Sequence, residues 1–180
     1  MFRFKLISSL LGLLMLPLLV ACNDGSKNPK ISDPSAADAE MLTVYKSPTC
    51  GCCKKWIGHL EAEGFAASVE HPANLDAIKD RYRIANNLRS CHTAVSTQGY
   101  VFEGHIPARY IHQFLANPPA DAMGLTVPAM PVGSPGMEVG DKFMPYQILL
   151  MKKDGSTEVF ASVGSMAQQY QPLQQPEAQP

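Results

Sequence analysis

Apolar and polar positions along the chain fall into short blocks whose period changes several times. "MLTVYKS" from Met41 sets Leu42 and Val44 on one side and predicts a buried strand, stopped by Pro48. From Cys52 to about Gly64 the period lengthens: Trp56, Ile57 and Leu60 recur at helical spacing and Gly64 supplies the stop. "FAASVEH" from Phe65 returns to strand, and "NLDAIKDRYRI" predicts a helix capped by Asn74. Strand, turn, helix, strand, helix is the opening of a parallel crossover, which places the chain in the α/β class.

The second half is less regular. "TAVSTQGYVFEGHI" predicts two short strands around Gln98 and Gly99, and "ARYIHQFLAN" a helix stopped by Pro118. Residues 119–142, with Gly and Pro at close intervals, predict irregular backbone. "MPYQILLMKKDGSTEVFASVG" then predicts a hairpin: a strand over Ile148–Met151, a turn at Asp154 and Gly155, and a return strand over Val159–Ser162.

The two ends differ in kind from the domain they flank. Arg3 and Lys5 precede an apolar run from Leu6 to Val20, broken by Pro17 and short for a bilayer span, so residues 1–21 are expected to be a secretory signal. The run ends in "LVAC", which resembles the bacterial lipoprotein processing site and implies lipidation of Cys22. Residues 22–40, rich in Ser, Pro, Asp and Asn, are expected to be a flexible tether. From Ala167 onward, "AQQYQPLQQPEAQP" is Gln/Pro-rich and is expected to lack fixed structure, leaving a folded domain over residues 41–166. Across the 180 residues the net charge of -1, without a basic block, gives no reason to expect a nucleic-acid partner.

Chemistry concentrates in "YKSPTCGCCKKW". Cys50 and Cys53 have dithiol spacing, and Cys52 stands between them where strand runs into helix. Of the five cysteines, four remain once Cys22 is set aside, the last being Cys91 beside His92. Two chemistries fit. A helix N-terminus carries roughly half a unit of positive charge and stabilises a thiolate there, and a thiolate serves disulfide exchange and metal capture alike. Thiolate, imidazole and thioether together select Cu(I) over harder ions. Cys50, Cys52, Cys53, Cys91 and His92 offer the first two, and Met130 and Met137, in the Gly/Pro-rich loop, offer the third.

The cysteine turn, followed much later by Met144-Pro145 and a Lys-Asp-Gly hairpin, resembles a thioredoxin fold with an insertion between the cysteine helix and the hairpin. That resemblance implies a cis peptide bond at Pro145, facing the dithiol. Four motifs narrow it further: "SPTCGCCKKW", "SCHTA" from Ser90, "YVFEGHIPA" from Tyr100 and "VPAMPVGSPGME" from Val127. In that order they are similar to the periplasmic, thioredoxin-like copper-resistance proteins of the CopG type, over Leu42 to Phe160. The family implies copper at the CxCC cysteines, more than one ion being open, redox activity, and copper tolerance beside efflux or chaperone proteins. Taken with the lipoprotein signal, it implies a periplasmic protein on a lipid anchor, the outer membrane favoured because Asn follows Cys22. Three readings stay open: a copper redox protein, a non-catalytic copper chaperone, or a thiol-disulfide oxidoreductase with Cys50 attacking and Cys53 resolving. Whether the chain is an enzyme is left undecided at this point.

Overall fold

The computed structural model of the protein describes residues 39–171. The expected signal, the lipidation at Cys22, nearly all of the tether and the end of the tail lie outside those residues. Seven strands form one sheet in the order β2-β1-β3-β4-β5-β6-β7. Strand β1 (Met41–Lys46) leads into α1 (Gly51–Ala62), and β2 (Ala66–Glu70) returns parallel to β1. Helix α2 (Leu75–Arg81) follows, and the Asn74 side chain caps it by accepting from the Ala77 N–H. Strand β3 (His92–Ser96) then enters antiparallel to β1, and β4 (Val101–Glu103) antiparallel to β3.

Helix α3 (Ala108–Ala116) crosses to β5 (Ala122–Thr126), which runs parallel to β4. The β6 (Tyr146–Lys152) and β7 (Thr157–Val163) hairpin completes the sheet. The fold is therefore mixed α/β and thioredoxin-like, as expected, and the segment between α1 and the hairpin holds β2 to β5.

Alternation along the strands sorts the core onto two faces. Leu42, Val44, Ala94, Phe102, Leu125, Ile148 and Leu150 pack with Trp56, Ile57 and Leu60 of α1 and Ile111 and Phe114 of α3. Across the sheet, Val101 and Met151 pack with Ile84 and Leu88 from the segment after α2.

Three expectations need correcting. Residues 122–126 were expected to be irregular but form β5, a fully internal strand whose "AMGLT" shows no polar alternation. Gly124 sits there at φ 153, and a Cβ would lie 1.8 Å from the Val101 carbonyl oxygen, so the inter-strand approach requires glycine. No cis peptide bond occurs among the described residues, so the bond before Pro145 is trans. Pro145 leads into β6, which β3, β4 and β5 separate from β1, and its bond follows the ordinary trans preference of about 0.5–1 kcal/mol. Finally, fixed structure continues past Met166. Ala167–Gln169 form a 3-10 turn, and Gln169 is buried with its amide bonded to the Gly133 carbonyl and to the Tyr146 hydroxyl.

Candidate metal and thiol centre

The cysteine turn is built locally. Beyond β1 the chain turns through Pro48, with the Cys50 N–H bonded to the Ser47 carbonyl at 3.1 Å. Cys50 is the N-cap of α1, and its Sγ accepts from the Cys53 N–H at 3.3 Å, the role a serine or aspartate oxygen commonly plays. The first turn of α1 has no acidic residue, so the positive end of the helix is left to the sulfurs. Cys50 and Cys53 are joined by a disulfide, while Cys52 and Cys91 are free.

Cys91 arrives from the other side, at the residue before β3. Its Sγ lies 3.4 Å from that of Cys53, and the Cys52 Sγ lies 3.4 Å from that of Cys50. The four sulfurs thus form a compact cluster in which Cys52 neighbours Cys50 and Cys91 neighbours Cys53. Cys91, not Pro145, is the residue that faces the dithiol from the head of a neighbouring strand.

Two histidines extend the cluster. The Cys91 Sγ is 3.0 Å from His105 Nε2 and 3.4 Å from His92 Nδ1. His105 Nδ1 is 2.7 Å from the Pro135 carbonyl, which only accepts, so Nδ1 carries the hydrogen and Nε2 presents its lone pair to Cys91. His92 stacks on Trp56 with ring centroids 4.1 Å apart, and its buried Nε2 has no hydrogen-bond partner. Cys50, Cys52, Cys53 and Cys91 form one group with ligand atoms within 4.8 Å of one another, and Cys91, His92 and His105 form a second. Cys91 belongs to both.

Burial dominates the electrostatics. It pushes the Cys91 thiol up to about 12, with Cys52 adding to the effect. It also holds His105 below the usual imidazole range and His92 well below it, the latter helped by His105 and Lys79. Both rings are therefore neutral at neutral pH, the form that binds a metal.

A buried charge network fixes the histidine side from beneath the sheet. Glu103 at the end of β4 accepts from Lys79 Nζ at 2.5 Å, from the Ser90 N–H at 2.6 Å and from the Thr93 hydroxyl at 2.6 Å. Burial raises the Glu103 carboxyl, and Lys79 with the two other donors opposes that rise. One carboxylate thereby ties the segment before Cys91 to the strand that ends two residues before His105.

The loop bearing Met130 and Met137 closes the top. Gly136, at φ 86, lies so close to α1 that a Cβ would be 2.5 Å from the Cys52 carbonyl oxygen. Met130 is exposed at the surface and Met137 is half-buried one residue beyond Gly136. The structure brings together Cys50, Cys52, Cys53, Cys91 and His92, and adds His105, for which the sequence supports a motif position and a structural turn equally. Its signal was its place in "EGHIP", but only the pairing of β3 with β4 brings it to Cys91.

Comparison with known proteins points the same way. A family described as "Protein of unknown function, DUF411" matches residues 88–137, the stretch carrying Cys91, His92 and His105. A solved structure titled copper resistance protein CopG, form 2, is 40% identical with a TM-score of 0.67, covering 70% of this chain and 99% of that one. Form 1 is 41% identical with a TM-score of 0.64, covering 68% and 96%. No curated protein matches the chain.

Proposed function

The chain belongs to the family of the copper resistance protein CopG, and from that premise we propose that it is a copper-binding redox protein of the periplasm. The observation that carries the proposal is the pair of overlapping soft-ligand groups that share Cys91. Thiolate and neutral imidazole favour Cu(I), and four thiolates with two imidazoles exceed what one ion takes, so more than one copper is bound. Reduced Cys50 and Cys53, with Cys52, Cys91, His92 and His105, are the proposed ligands, and Met130 and Met137 pass copper in and out as thioethers.

The dithiol also supplies electrons. Oxidising the Cys50 and Cys53 thiols to their disulfide releases two electrons and two protons, which converts two Cu(II) ions to Cu(I). The captured copper is then handed to an efflux or chaperone protein, and a lipid at Cys22 holds the domain at a membrane, the outer one favoured. A second reading, thiol-disulfide exchange with other proteins through Cys50 and Cys53, is favoured by the disulfide that joins them.

Anaerobic titration of the reduced chain with Cu(I) against a chromophoric chelator tests the proposal. More than one tightly held ion is expected, with loss of at least one in Cys52→Ser and in Cys91→Ser. Binding no stronger than that of an unrelated reduced dithiol protein rejects it in favour of the second reading.

A further inference from the structure

The sulfur cluster holds a reaction that needs no metal. Cys91 is a free thiol 3.4 Å from Sγ of Cys53, and Cys53 is one half of a disulfide. The same Cys91 sulfur lies 3.0 Å from Nε2 of His105, whose other nitrogen is fixed by the Pro135 carbonyl at 2.7 Å. A nucleophile, a base within hydrogen-bond reach, and a third group that orients the base is the arrangement by which a weak nucleophile is activated. Cys53 is fully buried, so a thiol already inside the fold is placed to reach its sulfur far better than one from solution.

We propose that the chain carries out an internal thiol-disulfide exchange in which Cys91 attacks Cys53 and the disulfide migrates from Cys50–Cys53 to Cys53–Cys91. In one concerted step the Cys91 S–H proton passes to Nε2 of His105 as the sulfur bonds to Sγ of Cys53, so that no free thiolate forms at Cys91. The Cys50–Cys53 bond breaks, and its electron pair leaves on Sγ of Cys50 as a thiolate. One disulfide is consumed and one is formed, so no outside oxidant or reductant takes part. The departing thiolate is received where it forms: the Cys53 N–H already points at Sγ of Cys50 from 3.3 Å, at a helix N-terminus with no acidic residue in its first turn. In the reverse step Cys50 attacks Cys53, and Cys91 recovers its proton from His105.

The exchange changes which thiols the oxidised chain presents. Before it, the free pair is Cys52, in the first turn of α1, and Cys91, at the residue before β3. After it, the free pair is Cys50 and Cys52, whose sulfurs are 3.4 Å apart at the mouth of the helix. The oxidised chain then offers two neighbouring thiols on one helix turn, while its disulfide ties that helix to the residue before β3. This activity is independent of the copper proposal and is tested without metal.

The test uses the metal-free full chain with one disulfide, incubated while folded with excess N-ethylmaleimide, then digested and mapped by mass spectrometry. Labelling traps any thiol the exchange releases. The expected result is growth of molecules labelled at Cys50 and Cys52 that carry a Cys53–Cys91 disulfide. In Cys91→Ser that species is absent and Cys50 stays unlabelled. In His105→Ala it forms more slowly, by a factor of about 100 or more if the imidazole acts as general base. Circular dichroism of each variant checks that the fold is kept, and Cys91→Ala repeats the first comparison should the serine variant be unstable. An intact Cys50–Cys53 disulfide in every molecule after prolonged labelling overturns the proposal. So does labelled Cys53 beside a Cys50–Cys52 disulfide, which makes Cys52 the attacker.

Discussion

The two sides of the centre are held by different physics. On the cysteine side, Cys50, Cys52 and Cys53 are positioned by one turn and the start of one helix, through bonds between residues at most three apart. On the histidine side, Cys91, His92 and His105 come from a loop and the ends of two strands, and a buried carboxylate reaching to a third element fixes them. The first side is built mainly from its own turn, with the loop at Gly136 packed against it. The second depends on a charge in a place where charges are costly, so the two sides should fail separately and by different amounts.

Glu103 is the largest lever. Glu103→Ala leaves Lys79 charged and buried with only the Thr93 hydroxyl beside it, and takes the acceptor from the Ser90 N–H. Removing one partner of a buried ion pair costs about 3–5 kcal/mol, to be read from urea unfolding. Copper retention should fall with it, because the segment before Cys91 is freed. Lys79→Met together with Glu103→Leu should recover part of the stability, since a hydrophobic pair of similar volume avoids both desolvation costs, without restoring the hold on Ser90. Stability recovered alongside full copper affinity would remove Glu103 from the account of the site.

Next is the loop that joins the two sides. Gly136→Ala puts a methyl group 2.5 Å from the Cys52 carbonyl oxygen, on a residue at φ 86. Overpacking against a helix backbone costs about 1–3 kcal/mol, and the positive φ adds to it. A lowered melting temperature is expected, with slower re-formation of the Cys50–Cys53 disulfide after reduction, since the loop bears on the turn that carries both.

The local side yields less. With the chain reduced and free of metal, Cys50→Ala removes the side-chain cap of α1 and should cost about 1 kcal/mol in urea unfolding, which Cys50→Ser recovers because a hydroxyl caps as well. The contrast with Glu103→Ala, several times larger, is the quantitative form of the difference between the two sides.

That difference also governs what the sequence discloses. The cysteine turn is legible because everything that builds it is contiguous: a strand pattern, a proline stop, three thiols and a helical period. The α/β opening is legible for the same reason. His105 is not, because nothing within several residues of it says that β4 lies beside β3, and an imidazole before a proline suits a turn equally well. Strand β5 was hidden by Gly124, which reads as a breaker in one dimension and is demanded in three by the Val101 carbonyl. The order of residues 167–169 was hidden by composition: glutamine marks disorder on average, yet Gln169 finds a hydroxyl on β6 and a carbonyl in the loop over the site. Pro145 misled because a proline ahead of a hairpin invites the wrong strand, and the place facing the dithiol belongs to Cys91.

The smallest effect expected is one of pH, and it concerns the seam between α1 and α3. Helix α3 has Pro107 at its N-cap, which supplies no side-chain bond, and His59 of α1 serves instead: its Nε2 accepts from the Ala108 N–H at 3.0 Å. That bond exists only while Nε2 keeps its lone pair. Burial holds His59 below the ordinary value of 6.5, against Glu63 and Glu138, which pull it up. Above about 6.5 the ring is neutral in folded and unfolded chains alike, and its contribution to stability is complete. As pH falls below that value the unfolded chain takes up a proton that the folded chain resists, so stability is lost until the folded ring also titrates. Urea midpoints between pH 7.5 and 5 should therefore decline less steeply in His59→Gln, whose amide oxygen accepts the same N–H without titrating. An unchanged slope would assign the acid sensitivity to the histidine side of the centre, where His92 and His105 are also held neutral by burial.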